Sequence, residues 1–245
     1  MRRSRTPVAL VTGGGRRLGR QICLALGHAG FDVAVNYHNS AAGARTVVKD
    51  LNAMGQRAGS FKANVSKSRQ VDRMVSSVIR TFGRIDLLVN NAAVFLDSPA
   101  RSTTESTWDT TIDINLKGIF LCSKGVIPQM LKQKKGIIVN IASLGGQQAW
   151  TEHMPYSVAK SGVIMLTRVM AKALAPTIVV NAIAPGAILI PGEESEDIQH
   201  ISRKKIPLRK YGAPSDITDM VLYLATKASY ITGQVISVDG GRSIL

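Results

Sequence analysis

Apolar and polar positions follow two periods along the chain. Short runs rich in β-branched and aliphatic residues recur, and between them apolar residues return every three or four positions. The runs predict strands over Val8–Thr12, Asp32–Tyr37, Arg57–Lys62, Leu87–Asn90, Gly136–Ile141, Val179–Ile183 and Gln234–Val238. The longer period predicts helices over Leu18–Ala29, Ala41–Met54, Gln70–Phe82, Trp108–Lys132, Tyr156–Leu174 and Ile217–Leu224. The strand runs are apolar at nearly every position, which predicts burial on both faces. Strands that alternate with helices predict an α/β fold with a doubly wound parallel sheet. The segment Ala187–Lys210 has the weakest pattern, with Pro191, Gly192 and the acids Glu193, Glu194, Glu196 and Asp197. It reads either as a cover over a site or as a solvated loop with a surface helix.

With 245 residues, 1–245 fits one domain better than two. A formal charge of +15 admits a nucleic-acid binder, but the basic residues are dispersed and not interleaved with aromatics. The expectation is a basic enzyme with phosphate-bearing ligands, a small-molecule substrate and no specific nucleic-acid partner. No apolar run is long enough to span a membrane. The basic, then apolar start is too short to be a signal peptide and reads as a buried first strand. With only Cys23 and Cys122, a cytoplasmic chain without disulfides is expected.

Gly13, Gly14 and Gly15 follow the first strand, and Gly19 sits early in the next helix. Glycine lets the backbone approach a pyrophosphate, and a helix amino end attracts an anion. Arg16, Arg17 and Leu18 complete this cofactor-binding turn. After strand two the chain reads Tyr37, His38, Asn39, Ser40, with no carboxylate to hold a ribose 2′-hydroxyl and repel a 2′-phosphate. With Arg16, His38 and Ser40 nearby, this predicts NADPH. Asn64 and Val65 are expected at the adenine. Asn90, Asn91 and Ala92 support the cofactor backbone, and Pro185 and Gly186 shape the nicotinamide site.

Tyr156 and Lys160 lie one helical turn apart, so both face one side of their helix. A free tyrosine titrates near ~10, and a close ammonium is expected to lower that value. Tyr156 is therefore the candidate proton donor. Lys160 is its partner and also a ligand of the nicotinamide ribose. Ser143, at the end of strand five, is placed to hold the substrate atom that takes the proton. Asn115 is placed to orient a proton-carrying water. The four histidines are scattered, and no Cys/His/carboxylate spacing suggests a metal.

The chain resembles the short-chain dehydrogenase/reductase family over essentially its whole length. The resemblance is carried by Thr12–Gly19, Asn90-Asn91-Ala92, Asn115, Ser143, Tyr156, Lys160, Pro185-Gly186 and Val238–Gly241. It implies a Rossmann-type sheet of about seven strands with helices on both faces, an Asn-Ser-Tyr-Lys tetrad and a homotetramer joined through the helices around Trp108–Lys132 and Tyr156–Leu174. Two positions depart from the family pattern: Arg17 replaces a turn glycine, and Ala93 replaces the glycine after Asn-Asn-Ala. Arg17, the segment after strand two and Phe95 resemble the pteridine reductase branch. That branch implies Arg17 on pyrophosphate and pterin, and Phe95 stacked on the pterin ring; core packing is the other reading of Phe95. Ser143 stands where some of that branch carry an aspartate. Asp239–Arg242 and Leu174–Leu189 also resemble bacterial dihydromonapterin or dihydrofolate reductases of the family, and the expected reaction is NADPH-dependent reduction of a dihydropteridine or a related pterin or folate. The alternatives are reduction of a 3-oxoacyl thioester or other ketone, and a non-catalytic NADPH-binding regulator.

Overall fold

The computed structural model describes residues 6–190 and 201–244. The acids Glu193, Glu194, Glu196 and Asp197 of the expected cover lie outside the described residues. Seven parallel strands form one sheet: β1 (Val8–Val11), β2 (Asp32–Tyr37), β3 (Ala58–Lys62), β4 (Leu87–Asn90), β5 (Gly136–Ile141), β6 (Ile178–Pro185) and β7 (Val235–Val238). Their order is β3-β2-β1-β4-β5-β6-β7. The helices are α1 (Arg17–His28), α2 (Ala41–Ala53), α3 (Ser68–Phe82), α4 (Glu105–Ile112), α5 (Gly118–Gln133), α6 (Met154–Leu174) and α7 (Pro214–Thr226). This is the doubly wound Rossmann-type architecture the sequence predicts.

Alternation along each strand explains the continuous apolar runs. In β1, Ala9 and Val11 join one core with Ile22 and Leu26 of α1, Val47 of α2 and Val221 of α7. Leu10 between them joins the opposite core with Val75 of α3, Val126 of α5 and Met170 of α6. A strand covered on both faces needs an apolar residue at every position. On α3, Val71, Met74, Val75 and Val78 repeat at helical spacing and are all buried.

The predicted helix over Trp108–Lys132 is corrected. It starts at Glu105, where the Thr104 hydroxyl accepts from Thr107 N at 3.2 Å. A π-helical turn, Asp113–Lys117, then separates α4 from α5. Asn115 sits in this turn, fully buried. Its Oδ1 accepts from Val94 N and its Nδ2 donates to Val94 O, both at 2.8 Å. The extra residue per turn turns this amide toward the loop after β4. Gly118 follows because a Cβ there would meet Val65 Cγ2 at 2.8 Å. Strand β6 runs on to Pro185, beyond the predicted Ile183, because its end still pairs with β7 through Pro185 and Val238.

The sheet changes direction between β1 and β4, with β2 and β3 on one side and β5, β6 and β7 on the other. Such a switch point opens a crevice at the carboxyl ends of the strands. Asn115→Leu removes both bonds to Val94, the residue that leads into one wall of that crevice. The expected cost is roughly 1–3 kcal/mol, read as a melting temperature lower by several degrees. An unchanged melting temperature refutes this role for the amide.

Candidate active site

A cavity of about 650 Å³ fills the crevice. The residues expected at the cofactor line it: Gly13, Arg16, Arg17 and Leu18 at the turn, His38, Asn39 and Ser40 after β2, Asn64 and Val65 after β3, Asn91 and Ala92 after β4, and Pro185 and Gly186 after β6. Ser143, Tyr156, Lys160 and Phe95 line it as well. Asn115 does not, and its side-chain amide is committed to Val94. These two bonds tie Asn115 to the residue that leads into the cavity wall and leave one N–H and one lone pair of the amide over. Among the described residues, no Asp or Glu lines the cavity.

The phosphate end is built by close approach. Gly13 has φ +64°, and a Cβ on it would stand 3.0 Å from Ala92 Cα. A Cβ on Gly19 would stand 2.2 Å from the Gly13 carbonyl oxygen. Helix α1 begins without a side-chain cap and without an acid in its first turn, so its amino end stays electropositive. Arg17 has φ +49°, in the left-handed region where a non-glycine residue is strained. That strain accounts for the glycine the family pattern has here. Thr12 Oγ1 accepts from Asn91 N at 2.9 Å and Ala92 N at 3.0 Å. Asn91 Nδ2 donates to Thr12 O at 2.9 Å, so this amide secures the turn. The cradle, the uncapped helix and the exposed Arg16 and His38 fit a dinucleotide that bears an extra phosphate.

At the chemical end, Lys160 is 2% exposed and Nζ donates to Ile141 O at 2.7 Å. Burial pushes its amine down to about 8. Tyr156 is partly exposed to the cavity, and Nζ of Lys160 lies 5.6 Å from its ring centre. Burial raises the Tyr156 phenol above its usual value, and the Ser143 hydroxyl acts more weakly in the opposite direction. The expected lowering of Tyr156 by Lys160 is thus corrected. The amine turns to a carbonyl, and a low dielectric disfavours charge on both groups.

Aromatic rings form the wall beside Tyr156. Phe95 meets Tyr156 edge-on at 4.8 Å, and His153 covers Phe95 at 4.1 Å with a 33° tilt. Trp150 stacks on Tyr156 at 6.2 Å and 10°. The Arg242 guanidinium lies 5.6 Å over Trp150. Sequence reasoning missed Trp150 and Arg242. The available signal was their position, each in a loop after the carboxyl end of a strand. Of the expected cover, Ile188, Ile190 and Ile201 line the cavity, and Leu189 N donates to Gly212 O at 2.8 Å.

A family model described as enoyl-(acyl carrier protein) reductase matches residues 15–243. The chain belongs to the short-chain dehydrogenase/reductase family. It is therefore an oxidoreductase that acts on a small molecule with a nicotinamide cofactor. Among relatives of this short-chain reductase, 3-oxoacyl-(acyl-carrier-protein) reductase FabG of Staphylococcus epidermidis is 43% identical over 237 residues, 95% of this chain and 97% of that one. Acetoin dehydrogenase from Enterobacter cloacae superposes with a TM-score of 0.89 at 35% identity, covering 98% of this chain and 97% of its own. A variant of actinorhodin polyketide ketoreductase with NADPH also gives 0.89, at 31% identity and 98% coverage of both chains. The resemblance to the pteridine reductase branch, and with it the pterin substrate, is overturned by the 43% relative. His153 packs on one side of the Phe95 ring, which is the core-packing reading of this residue in part, while the ring still lines the cavity. Among the described residues, no helix of this reductase is long and apolar enough to cross a membrane.

The Lys160 amine titrates near 10.5 in the unfolded chain and about 8 in the fold. Between these values the unfolded chain binds more protons, so stability rises with pH. From pH 8 to 10 the wild type should gain on the order of 2 kcal/mol relative to Lys160→Met, measured by urea denaturation. A constant difference across that range would show that the amine is not buried as described.

Proposed function

We propose that this chain is an NADPH-dependent carbonyl reductase whose substrates are 3-oxoacyl thioesters. The observation that carries the reading is that Ser143, Tyr156 and the buried Lys160 line one cavity at the carboxyl edge of β5. Two hydroxyls on one cavity wall suit a carbonyl oxygen. A phenol held above its usual range is protonated at neutral pH, which suits a proton donor in reduction. Bound NADPH supplies hydride to the carbonyl carbon. Ser143 holds the oxygen, and Tyr156 gives its O–H proton to the alkoxide that forms. The carbonyl thus gains one hydride and one proton and becomes an alcohol. Lys160, charged below about 8, stabilises the phenolate left behind.

The residues that would hold the cofactor are assigned by their place on the wall. Gly13, Arg17 and Leu18 take the pyrophosphate. Arg16, His38, Asn39 and Ser40 take the 2′-phosphate, with no acid there to repel it. Asn64 and Val65 flank the adenine, Asn91 and Ala92 border the ribose, and Pro185, Gly186 and Lys160 hold the nicotinamide end. The names of the relatives, 3-oxoacyl reductase and polyketide ketoreductase, support a ketone as the reducible group. The family description speaks of an enoyl reductase, but two hydroxyls on the cavity wall favour an oxygen over an alkene carbon. We assign the chain to the cytoplasm as one catalytic domain. Phe120 and Leu131 on α5, and Met165 and Val169 on α6, are exposed apolar residues that a homotetramer would cover.

The test is NADPH oxidation with an acetoacetyl thioester. Turnover supports the reading, and NADPH binding without turnover of any ketone replaces it with a non-catalytic binder. Tyr156→Phe should keep NADPH affinity and lose about 10²–10⁴-fold in kcat. A near-normal rate removes Tyr156 as donor. Arg16→Asp should cut the preference for NADPH over NADH by about tenfold or more, read as the ratio of kcat/KM values, because it places a carboxylate beside the 2′-phosphate. An unchanged ratio moves the phosphate elsewhere.

A further inference from the structure

Arg242 lines the end of the cavity that holds Trp150, away from the glycine turn. It opens the short 3₁₀ turn Arg242–Ile244 after β7. Its place is fixed by several contacts. The Asp239 carboxylate accepts from Gly241 N at 3.0 Å and from Ser243 N at 2.6 Å, so both oxygens are engaged by the turn. Gln148 Nε2 donates to the Arg242 carbonyl at 3.1 Å. The guanidinium rests on the Trp150 face at 5.6 Å, a cation–π contact. It forms no ion pair among the described residues.

Trp150 also stacks on Tyr156, with ring centres 6.2 Å apart. The cation therefore stands no farther from the Tyr156 ring than these two separations laid end to end. Ser143, Tyr156 and Arg242 line the same cavity, so an acyl chain that leaves a ketone held at the two hydroxyls can extend toward the cation. Among the described residues no carboxylate lines the cavity; the Asp239 carboxylate acts on Arg242 electrostatically from outside it, with both oxygens hydrogen-bonded within the turn.

We propose that Arg242, presented by Trp150, is a specificity-determining residue that selects 3-oxoacyl substrates whose acyl chain ends in a carboxylate. The proposal rests on the ketone-reductase reading above. A guanidinium offers a planar fork that binds a carboxylate through two parallel hydrogen bonds, and stacking on Trp150 orients that fork. A neutral chain end leaves the fork unused.

The test compares the 3-oxoadipyl thioester with the same thioester methylated at its terminal carboxylate. The readout is the ratio of kcat/KM, acid over ester, at fixed ionic strength. The wild type should prefer the acid by about tenfold or more, as a charge-assisted bidentate pair demands. Arg242→Met should bring the ratio close to one, and Arg242→Lys should restore part of it, since a lysine keeps the charge but not the fork. A wild type without preference, or an Arg242→Met protein with the ratio intact, overturns the proposal. Turnover of neither thioester counts instead against the reductase reading. In that case binding of adipate alone, followed by tryptophan fluorescence, decides the anion site: saturable quenching lost in Arg242→Met supports it, and no quenching in the wild type rejects it.

Discussion

The Thr12 hydroxyl closes the seam where the sheet changes direction, and the site is laid out on that seam. Strands β1 and β4 are neighbours, but their chains leave toward opposite faces. Beyond the last ladder bond, the N–H groups of Asn91 and Ala92 need an acceptor. Thr12 Oγ1 serves both, while Asn91 Nδ2 returns a bond to the Thr12 carbonyl. Backbone groups left unpaired in a part-buried crevice carry a desolvation cost. With the seam knitted by side chains, Gly13 packs against Ala92 and the crevice keeps a solid floor. Everything that lines the cavity is referenced to that floor.

A second constraint concerns the amine of Lys160. A long helix, α6, carries it into the protein, and the short turn Leu144–Gly146 packs on it so closely that a Cβ on Gly146 would stand 2.6 Å from the Lys160 carbonyl carbon. Ser161 Oγ donates to the Gly146 carbonyl at 2.7 Å from the same helix. Ser143 begins that turn, and its Oγ accepts from Gly145 N at 3.0 Å. Ser143, Tyr156 and Lys160 are thus fixed by one packing contact rather than three. Burial then sets their protonation: it lowers the amine and raises the phenol. The pair comes to rest with the phenol protonated, the state a reductive step consumes.

Legibility follows from what each element depends on. The strands were readable because burial on both faces writes itself into every position, as in Val8–Val11. The helices were readable where one apolar stripe meets the sheet, as on α3. The π turn at Asp113–Lys117 was not, because what it serves, the pair of bonds between Asn115 and Val94, joins residues far apart in sequence. The start of α4 was missed because Glu105–Thr107 shows no apolar repeat and depends on the Thr104 cap. In the site, glycines and the Tyr156–Lys160 spacing were readable because local geometry requires them. Trp150 and Arg242 were not, since a shared loop position appears only once β5 and β7 are placed.

The substrate shows the same division between floor and wall. A pterin and a 3-oxoacyl group ask the same of Ser143, Tyr156 and Lys160, so those residues cannot separate them. Phe95 is the residue that pointed to a flat heterocycle, and a sequence states that an aromatic ring is present without stating which face is open. Here His153 lies against that ring at 4.1 Å, held by its contact with the Leu96 carbonyl at 3.1 Å. One side of the ring is thereby used inside the protein, and the ring still lines the cavity. Phe95 also meets Tyr156 edge-on, Trp150 lies beneath Arg242, and all four residues line the cavity. The presence of the ring therefore did not decide the substrate, and the pterin reading is overturned by the relative named for 3-oxoacyl reduction across almost the whole chain.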